Sequence, residues 1–238
     1  FRGFYPRIYN DGLPAAEWLK NYVNTYVERD VRKIINVGDL MKFQQFLRMC
    51  AGRLGQLINY SQMGSEIGLS YHTIQSWVSL LEASFIVFRL EPYYRNFNKR
   101  MVKSSKLYFY DPGLAATLMG ISKPAALAFH FAKGSLFENL IISEIMKETM
   151  NKGKGSKLFF WRDSAGNEVD CILEDGSAIK AIEIKSAKTS SSSFFKGLEY
   201  WKNVTGNSNN YLVYGGDLSY LSNGVQILSW SNIRSLVV

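Results

Sequence analysis

Two runs rich in β-branched and apolar residues, EVDCILE and AIKAIEIKS, flank a turn signal at Asp175 and Gly176. Runs of this composition on either side of a turn predict two neighbouring strands. The helix pattern GSLFENLIISEIMKETM and the strand pattern KLFFWRD precede them, with a turn at SAGN, and the helix pattern FFKGLEYWKNV and the strand patterns NYLVYGG and GVQILSW follow. The order helix, three strands, helix, strand, strand predicts that this half of the chain combines a sheet with helices.

The first half of the chain is dominated by helical periodicity. Apolar residues recur at three- and four-residue spacing over residues 14–37, and Gly38 is a plausible helix end. A second predicted helix, LMKFQQFLRMCAGRLGQL, carries an apolar stripe made of Leu40, Phe43, Phe46, Leu47 and Cys50. Both patterns are typical of helices that pack in a core.

Residues 60–111 follow the pattern of a winged helix. Ser61 and Gly68 are the predicted start and end of a short helix, and Ser70 is the predicted cap of a second one. That second helix has an apolar face composed of Ile74, Trp77, Val78 and Leu81. The runs SFIVFRLEPYY and SKLYFYD then predict two hairpin strands around a basic loop.

Composition excludes several classes of protein. The chain has 238 residues and is 47% hydrophobic, enough for one large domain or two smaller ones. Charged residues interrupt its apolar runs well short of the ~20 residues that span a bilayer. Because its first residues contain no apolar run, we expect no signal peptide. Two isolated cysteines, Cys50 and Cys171, and only two histidines argue for a reducing cytoplasm and against a zinc site. Because the first residue is not Met, we expect a piece of a longer protein.

The charge balance favours polyanionic partners. Lys and Arg number 28 against 20 Asp and Glu, which gives a formal net charge of +8. An excess of this size attracts nucleic acids over long range, although it does not select one.

Three carboxylates and a lysine stand out in the second half. Glu138 lies on the predicted helix beside Ile141, Ile142 and Ile145, and Asp170 lies in the apolar strand EVDCILE. Glu183 and Lys185 share one face of the next strand because side chains two residues apart point the same way. Acids set into apolar elements are costly unless a cation joins them, and a hard divalent ion such as Mg²⁺ or Mn²⁺ is bound by such oxygens.

A cation bound there would polarise a phosphoryl oxygen, with Lys185 orienting the attacking water or offsetting charge on the phosphorus centre. The four residues therefore predict a site for phosphodiester hydrolysis. The alternative is that Lys185 and Glu183 form an edge-strand salt bridge and that Glu138 caps or pairs locally.

The motifs GSLFEN, FFWRDSAGNEVD and IEIKSAK resemble the helix glutamate, strand aspartate and E-x-K of the PD-(D/E)xK nucleases, a restriction-endonuclease-like fold that includes Holliday-junction resolvases. The resemblance implies that Glu138, Asp170 and Glu183 are metal ligands and that Lys185 is the catalytic lysine.

The segments GFYPRI, NTYVERDV and much of residues 46–121 resemble the C-terminal region of a bacterial family of AAA-type ATPases, in which a winged helix and a nuclease-like domain of unassigned function follow the ATPase. This resemblance implies a multi-domain α+β chain: an ATPase lid end and connecting helix over 1–38, a winged helix-turn-helix over 39–123, and a restriction-endonuclease-like domain with a central mixed sheet flanked by helices over 124–238. The ATPase domain would be a partner in the full-length protein. No phosphate loop G-x-x-x-x-G-K-[ST] occurs here, so we expect no ATP hydrolysis.

DNA is the expected partner of the winged helix. The predicted recognition helix presents His72, Thr73 and Gln75, which can hydrogen-bond to bases but include no Arg or Lys for guanine. Positive charge lies instead in and near the hairpin, where it suits phosphate contacts. The proposed contacts there are Arg89, Arg95, Lys99, Arg100, Lys103 and Lys106. Arg162 either holds a phosphate or pairs with Glu168, and the pair is the preferred interpretation.

Three functions remain open on the sequence. The first is a Mg²⁺-dependent nuclease domain attached to a DNA-binding winged helix and gated by an ATPase. The second is a docking module for DNA or protein that has kept the fold without turnover. The third is a regulatory protein whose winged helix mediates assembly with itself or with partners.

Overall fold

A computed structural model describes residues 1–31, 39–94, 102–153 and 157–237 of the chain. The predicted helix over 14–37 begins as α2 and continues as a π-helix, while the remainder of it and Gly38 lie outside the described residues. The elements of the first half are α1 (Pro6–Asn10), α2 (Ala15–Tyr22), the π-helix Val23–Val31, α3 (Leu40–Gly52), α4 (Tyr60–Ile67), α5 (Tyr71–Ala83), β1 (Val87–Pro92), β2 (Lys106–Phe109), α6 (Pro112–Leu118) and α7 (Pro124–Phe129).

The second half contains the predicted helix and strands in the predicted order. Its elements are α8 (Lys133–Lys152), β3 (Lys157–Arg162), β4 (Glu168–Asp175), β5 (Ala178–Lys185), a 3-10 turn at Ser192–Phe195, α9 (Lys196–Thr205), β6 (Asn210–Tyr214), β7 (Tyr220–Ser222), β8 (Val225–Ser229) and a final 3-10 helix, Trp230–Leu236. The sequence did not predict β7, α1, α6, α7 or the final 3-10 helix, because each is too short to display a period.

The strands of the described ranges form one eight-stranded mixed sheet in the order β2-β1-β3-β4-β5-β6-β8-β7. The β3–β4, β4–β5 and β7–β8 pairs are antiparallel, whereas β1–β3, β5–β6 and β6–β8 are parallel. The predicted fold class, α+β with a mixed sheet flanked by helices, is confirmed. The expected hairpin strands are present, but β1 also pairs with β3 and so joins the larger sheet.

The described chain divides into two compact units, each made of two chain segments. The first comprises Phe1–Arg89 and Leu107–Asn139, and the second Leu90–Lys106 and Leu140–Val238. The division falls within β1, β2 and α8. It differs from the predicted boundaries at 38 and 123, which stay a prediction.

The core of the first unit comes from the predicted helix faces. Phe43, Phe46, Leu47 and Cys50 of α3 are buried, and Trp77 of α5 packs edge-on against the rings of Phe43 and Phe46. Leu40, which was expected in the same stripe, is 38% exposed because it is the first residue of α3.

Both predicted helices of the helix-turn-helix are present, and the predicted cap of one of them is corrected. The Ser70 hydroxyl accepts a hydrogen bond from the Thr73 amide, and Gly68 ends α4 with φ +65°, a left-handed conformation that favours glycine. The cap of α4, however, is Asn59 rather than Ser61, since the Asn59 side chain accepts from the Gln62 amide. Both residue types cap helices well, so the sequence alone did not decide between them.

The core of the second unit lies between the sheet and α9. Leu198 and Trp201 of α9 pack with Ile172 of β4, Ala181 of β5 and Leu212 of β6, and all five are fully buried. This packing orients the face of β4 and β5 on which the predicted acids lie. None of the helices in the described ranges is both long and apolar enough to cross a bilayer.

Candidate carboxylate and lysine site

Asp170 and Glu183 face each other across two central strands. The antiparallel register pairs Cys171 with Ile182, which places Asp170 of β4 opposite Glu183 of β5. Each residue is only 8% exposed. Two carboxylates held side by side in a largely apolar setting require a positive charge between them.

Lys185 supplies that charge. Its Nζ lies 2.5 Å from Glu183 Oε1 and 3.4 Å from Asp170 Oδ2. Asp170 Oδ2 also accepts a hydrogen bond of 2.8 Å from the Ile184 amide. Glu183 and Lys185 therefore share one face of β5, as their spacing predicts, and three of the four predicted site residues come together.

Electrostatics hold Lys185 in its charged form. Burial alone would lower the pKa of the ammonium group, but the nearby charges of Asp170 and Glu183, and hydrogen bonds to both, raise the pKa above its ordinary value. Lys185 in this arrangement is a permanent cation at neutral pH. It can orient an anion or offset negative charge, but it does not act there as a proton acceptor.

Glu138 has a different environment, within the first unit. Its Oε1 accepts a hydrogen bond of 2.6 Å from the hydroxyl of Tyr108, a fully buried residue of β2. A Cβ placed at Gly55 would lie 3.0 Å from the same oxygen, so the carboxylate rests against the backbone of the loop that follows α3. Local pairing was the alternative interpretation of Glu138, and the Tyr108 contact is of that kind.

A hard cation would find two suitable ligands in this site. Asp170 and Glu183 offer carboxylate oxygens, the donors that Mg²⁺ and Mn²⁺ prefer, on directly opposed strand positions. Across the described ranges no three His, Cys, Asp or Glu side chains form a group that could hold a metal ion. The donor chemistry fits, with two carboxylates rather than three, and the part of Glu138 as a ligand stays a prediction.

The structure shows the salt bridge of the alternative interpretation, but not its position on an edge strand. Lys185 and Glu183 do form an ion pair, but β5 lies between β4 and β6 in the interior of the sheet. An ion pair at a central, nine-tenths buried glutamate is not the ordinary surface pair that this alternative describes.

A second charged cluster surrounds Glu168, two residues before Asp170 on β4. Its carboxylate pairs with Lys106 of β2 and, at 3.2 Å, with Arg162 of β3. The preferred interpretation of Arg162, a salt bridge to Glu168, is confirmed. Lys106 is only 2% exposed, and its Nζ lies 5.3 Å from the centre of the Phe160 ring. Its assignment as a phosphate contact is therefore corrected, because a buried and paired ammonium group is not presented to a solvent-borne ligand.

The other predicted nucleic-acid contacts separate into three groups. His72 and Gln75 are exposed on α5, and the Thr73 hydroxyl, half-buried, bonds to Ser70 at 2.8 Å. Arg89 forms an ion pair with Glu82: its Nε donates a hydrogen bond to Glu82 Oε1, and its Nη2 lies 2.8 Å from Glu82 Oε2. The Glu82 carboxylate therefore already balances the charge of Arg89. Lys103 is exposed, whereas Arg95, Lys99 and Arg100 lie outside the described residues.

The recognition helix and the basic loop belong to different compact units. His72, Thr73 and Gln75 are in the first, and Lys103 is in the second. In the second unit, Lys188, Lys196 and Lys202 are also exposed.

Sequence reasoning missed Tyr108 and Gly197 as neighbours of the predicted acids. A Cβ at Gly197 of α9 would lie 2.4 Å from the Glu168 carbonyl oxygen and 3.2 Å from Glu183 Oε2. A glycine in the first turn of an otherwise amphipathic helix was the available signal for close approach. For Tyr108 the signal was an aromatic ring with a polar end in a buried strand.

Two family models match successive parts of the chain. Residues 1–125 match the family described as "Domain of unknown function (DUF8612)". The chain belongs to this family. Residues 133–233 match a second family, "Domain of unknown function (DUF4143)", which is often found in C-terminal regions of AAA ATPases. Both carboxylates of the site, and Lys185, lie in the second match.

Two curated relatives are mycobacterial. A stretch of 177 residues is 25% identical to "Uncharacterized protein Mb2031c" of Mycobacterium bovis and to "Uncharacterized protein Rv2008c" of Mycobacterium tuberculosis. The match covers 74% of this chain but 39% of each relative. Less than half of each relative's length therefore corresponds to this chain.

Proposed function

We propose that this chain is the C-terminal part of an AAA-type ATPase and that its second unit hydrolyses phosphodiester bonds in DNA with the help of Mg²⁺ or Mn²⁺. The observation that carries the proposal is the cluster of Asp170, Glu183 and Lys185. This cluster consists of two opposed carboxylates and a lysine on the central strands of a mixed sheet. Apolar side chains at these positions would stabilise the fold better than the buried charges do. Such a costly arrangement indicates a chemical task.

The residues would divide the work by charge. Asp170 and Glu183 would hold the divalent cation, which supplies Lewis-acid polarisation of the phosphoryl oxygen when bound. Lys185 would offset the negative charge that develops on the phosphate, and its raised pKa suits this part because the group stays protonated.

The winged helix predicted over residues 39–123 would bring the DNA. In this proposal α5 approaches a groove with His72 and Gln75, both exposed, while Lys103 and the basic residues around it contact phosphates. Because Arg89 and Lys106 are engaged by Glu82 and Glu168, we assign the contact to fewer cations than the composition suggests. Binding would depend steeply on salt and little on base sequence.

A cleavage assay tests the proposal. The chain is incubated with plasmid, linear and branched DNA and with Mg²⁺ or Mn²⁺, beside the variants Asp170→Ala and Lys185→Ala. Lys180→Ala is the matched control, because Lys180 is on the same strand and its Nζ bonds to the Leu236 carbonyl. We expect cleavage by the wild type and the control, and loss of cleavage in both site variants. If Asp170→Ala and Lys185→Ala cleaved DNA as fast as the wild type, Asp170 and Lys185 would have no part in the mechanism.

One observation favours a second candidate, a docking module without turnover. Lys185 already forms ion pairs with both carboxylates, and the described ranges contain no third acid grouped with them. If the chain is a docking module, we expect it to bind DNA without metal. We also expect it not to cleave DNA under any of these conditions.

A further inference from the structure

We infer that Lys185 competes with a divalent cation for the Asp170 and Glu183 carboxylates, so that the cation binds strongly only when the ammonium group moves away. The inference rests on the proposed function, since it concerns the same site. It assigns Lys185 a regulatory part in addition to charge stabilisation.

The geometry puts the ammonium group where a cation would be bound. Nζ contacts one oxygen of each acid, at 2.5 Å from Glu183 Oε1 and 3.4 Å from Asp170 Oδ2. A divalent ion held by the same two carboxylates would share their oxygens with the ammonium group and would lie close to it. Like charges at that separation, in a setting with little water, repel strongly.

The charge balance leads to the same conclusion. Asp170 and Glu183 together carry two negative charges, and Lys185 reduces them to one. With no group of three possible metal ligands in the described ranges, the remaining charge is small for a tight site. Removing the ammonium group restores both negative charges to the cation.

The side chain has room to leave. Lys185 is 32% exposed, whereas the side chains of both acids are 11% exposed, so Nζ can swing toward solvent while the carboxylates stay in place. A phosphodiester at the mouth of the site would attract the ammonium group outward. Phosphate binding and cation binding would then be positively coupled, and by linkage each would strengthen the other equally.

Calorimetric titration of the whole chain with Mn²⁺ tests the inference directly. We expect Lys185→Gln to bind Mn²⁺ about tenfold more tightly than the wild type, a factor in the range of ordinary coupling energies. Lys185→Arg, which keeps the charge, and Lys180→Gln, which removes a lysine from the same strand, are expected to stay near the wild-type affinity.

Each outcome separates the two proposals. If the wild type and Lys185→Gln bind Mn²⁺ equally, and Asp170→Asn abolishes the binding, the competition is refuted while the metal site stands. If neither protein binds Mn²⁺, the metal site and the competition both fall.

Thermal unfolding with and without Mn²⁺ tests the inference even if Lys185→Gln folds poorly without metal. Lys185→Gln removes the ammonium group that pairs with both carboxylates, so we expect the variant without metal to melt at a lower temperature than the wild type. On addition of Mn²⁺, the melting temperature of the variant should rise by more than that of the wild type. An equal rise in the two proteins would contradict the inference.

Discussion

Asp163 organises the turn between β3 and β4 through four hydrogen bonds. It is 3% exposed and accepts from the amides of Ala165 and Asn167, the Asn167 side chain and the Tyr200 hydroxyl. Burial alone would raise the pKa of this carboxyl, but the hydrogen bonds from Asn167, Tyr200 and Ala165 lower the pKa below its ordinary value. Its contribution to stability is complete above the pKa of the unfolded chain, about 3.9, and is lost as pH falls through the lower folded pKa.

We therefore expect Asp163→Asn to lower the free energy of unfolding by about 2 kcal/mol at neutral pH, because hydrogen bonds to a charged acceptor are lost. The difference from the wild type should shrink as pH falls below about 4. Urea unfolding at a series of pH values measures both effects. Asp217→Asn, at an exposed position, should change little, and a constant difference at all pH values would contradict the assignment.

The hydroxyl of Tyr108 makes a second prediction at this scale. Tyr108→Phe removes the donor to Glu138 from a fully buried position, and we expect a loss of about 1 kcal/mol in the free energy of unfolding. Tyr110→Phe is the matched control, since Tyr110 is a nearby tyrosine that is only partly buried. Chemical denaturation of both variants compares them. Equal losses would mean that the Glu138 contact contributes nothing.

At the scale of elements, α9 packs against β4 through Gly197. Alanine is intrinsically better than glycine in a helix by about 1 kcal/mol. At Gly197, however, the added Cβ would lie 2.4 Å from a backbone oxygen of Glu168, which does not move easily. We expect Gly197→Ala to destabilise the chain by about 2 kcal/mol, the usual cost of overpacking.

The control for this element is Gly134→Ala on α8, where nothing lies within 4 Å of the added Cβ. There helix propensity should dominate, and the variant should be as stable as the wild type or slightly more stable. Thermal unfolding of the two variants decides the point, because opposite signs are expected from the same substitution. A stabilised Gly197→Ala would show that α9 does not pack this closely.

At the scale of the whole molecule, the second unit needs a segment from the first half of the chain. Residues Leu90–Lys106 belong to it. Tyr93 packs edge-on against Phe159 and Trp201, and Lys106 pairs with Glu168. A fragment restricted to residues 133–238 would lose these contacts and would leave Glu168 without its buried partner.

We therefore expect the fragment 133–238 to unfold without a cooperative transition, even though it contains the complete match to the second family. Circular dichroism melting of the fragment beside the whole chain measures this. A peptide spanning residues 87–110, added in excess, should restore part of the transition by mass action. A sharp transition of the fragment alone would show that the second unit folds without its earlier segment.

Local rules and chain order accounted for much of the architecture. Several features could be predicted from the sequence because periodicity and capping act within a few residues. They are the apolar stripe of α3, the Ser70 cap and the Gly68 end of the helix-turn-helix, and the strands β3, β4 and β5. The pairing of Glu183 and Lys185 on one face of β5 was readable for the same reason. The Asn59 cap was missed because two adequate capping residues stand two positions apart.

Local patterns in the chain therefore predict which elements form and the local direction of each side chain. Long-range packing, in contrast, determines which polar groups meet: Lys185 with Asp170, Lys106 with Glu168, and Glu138 with Tyr108. The pairing of β1 with β3 and the close approach of Gly197 to β4 were decided in the same way. The physical reason is that such contacts join residues far apart in the chain, and they depend on strand register and on competition for buried charge, which no local pattern records.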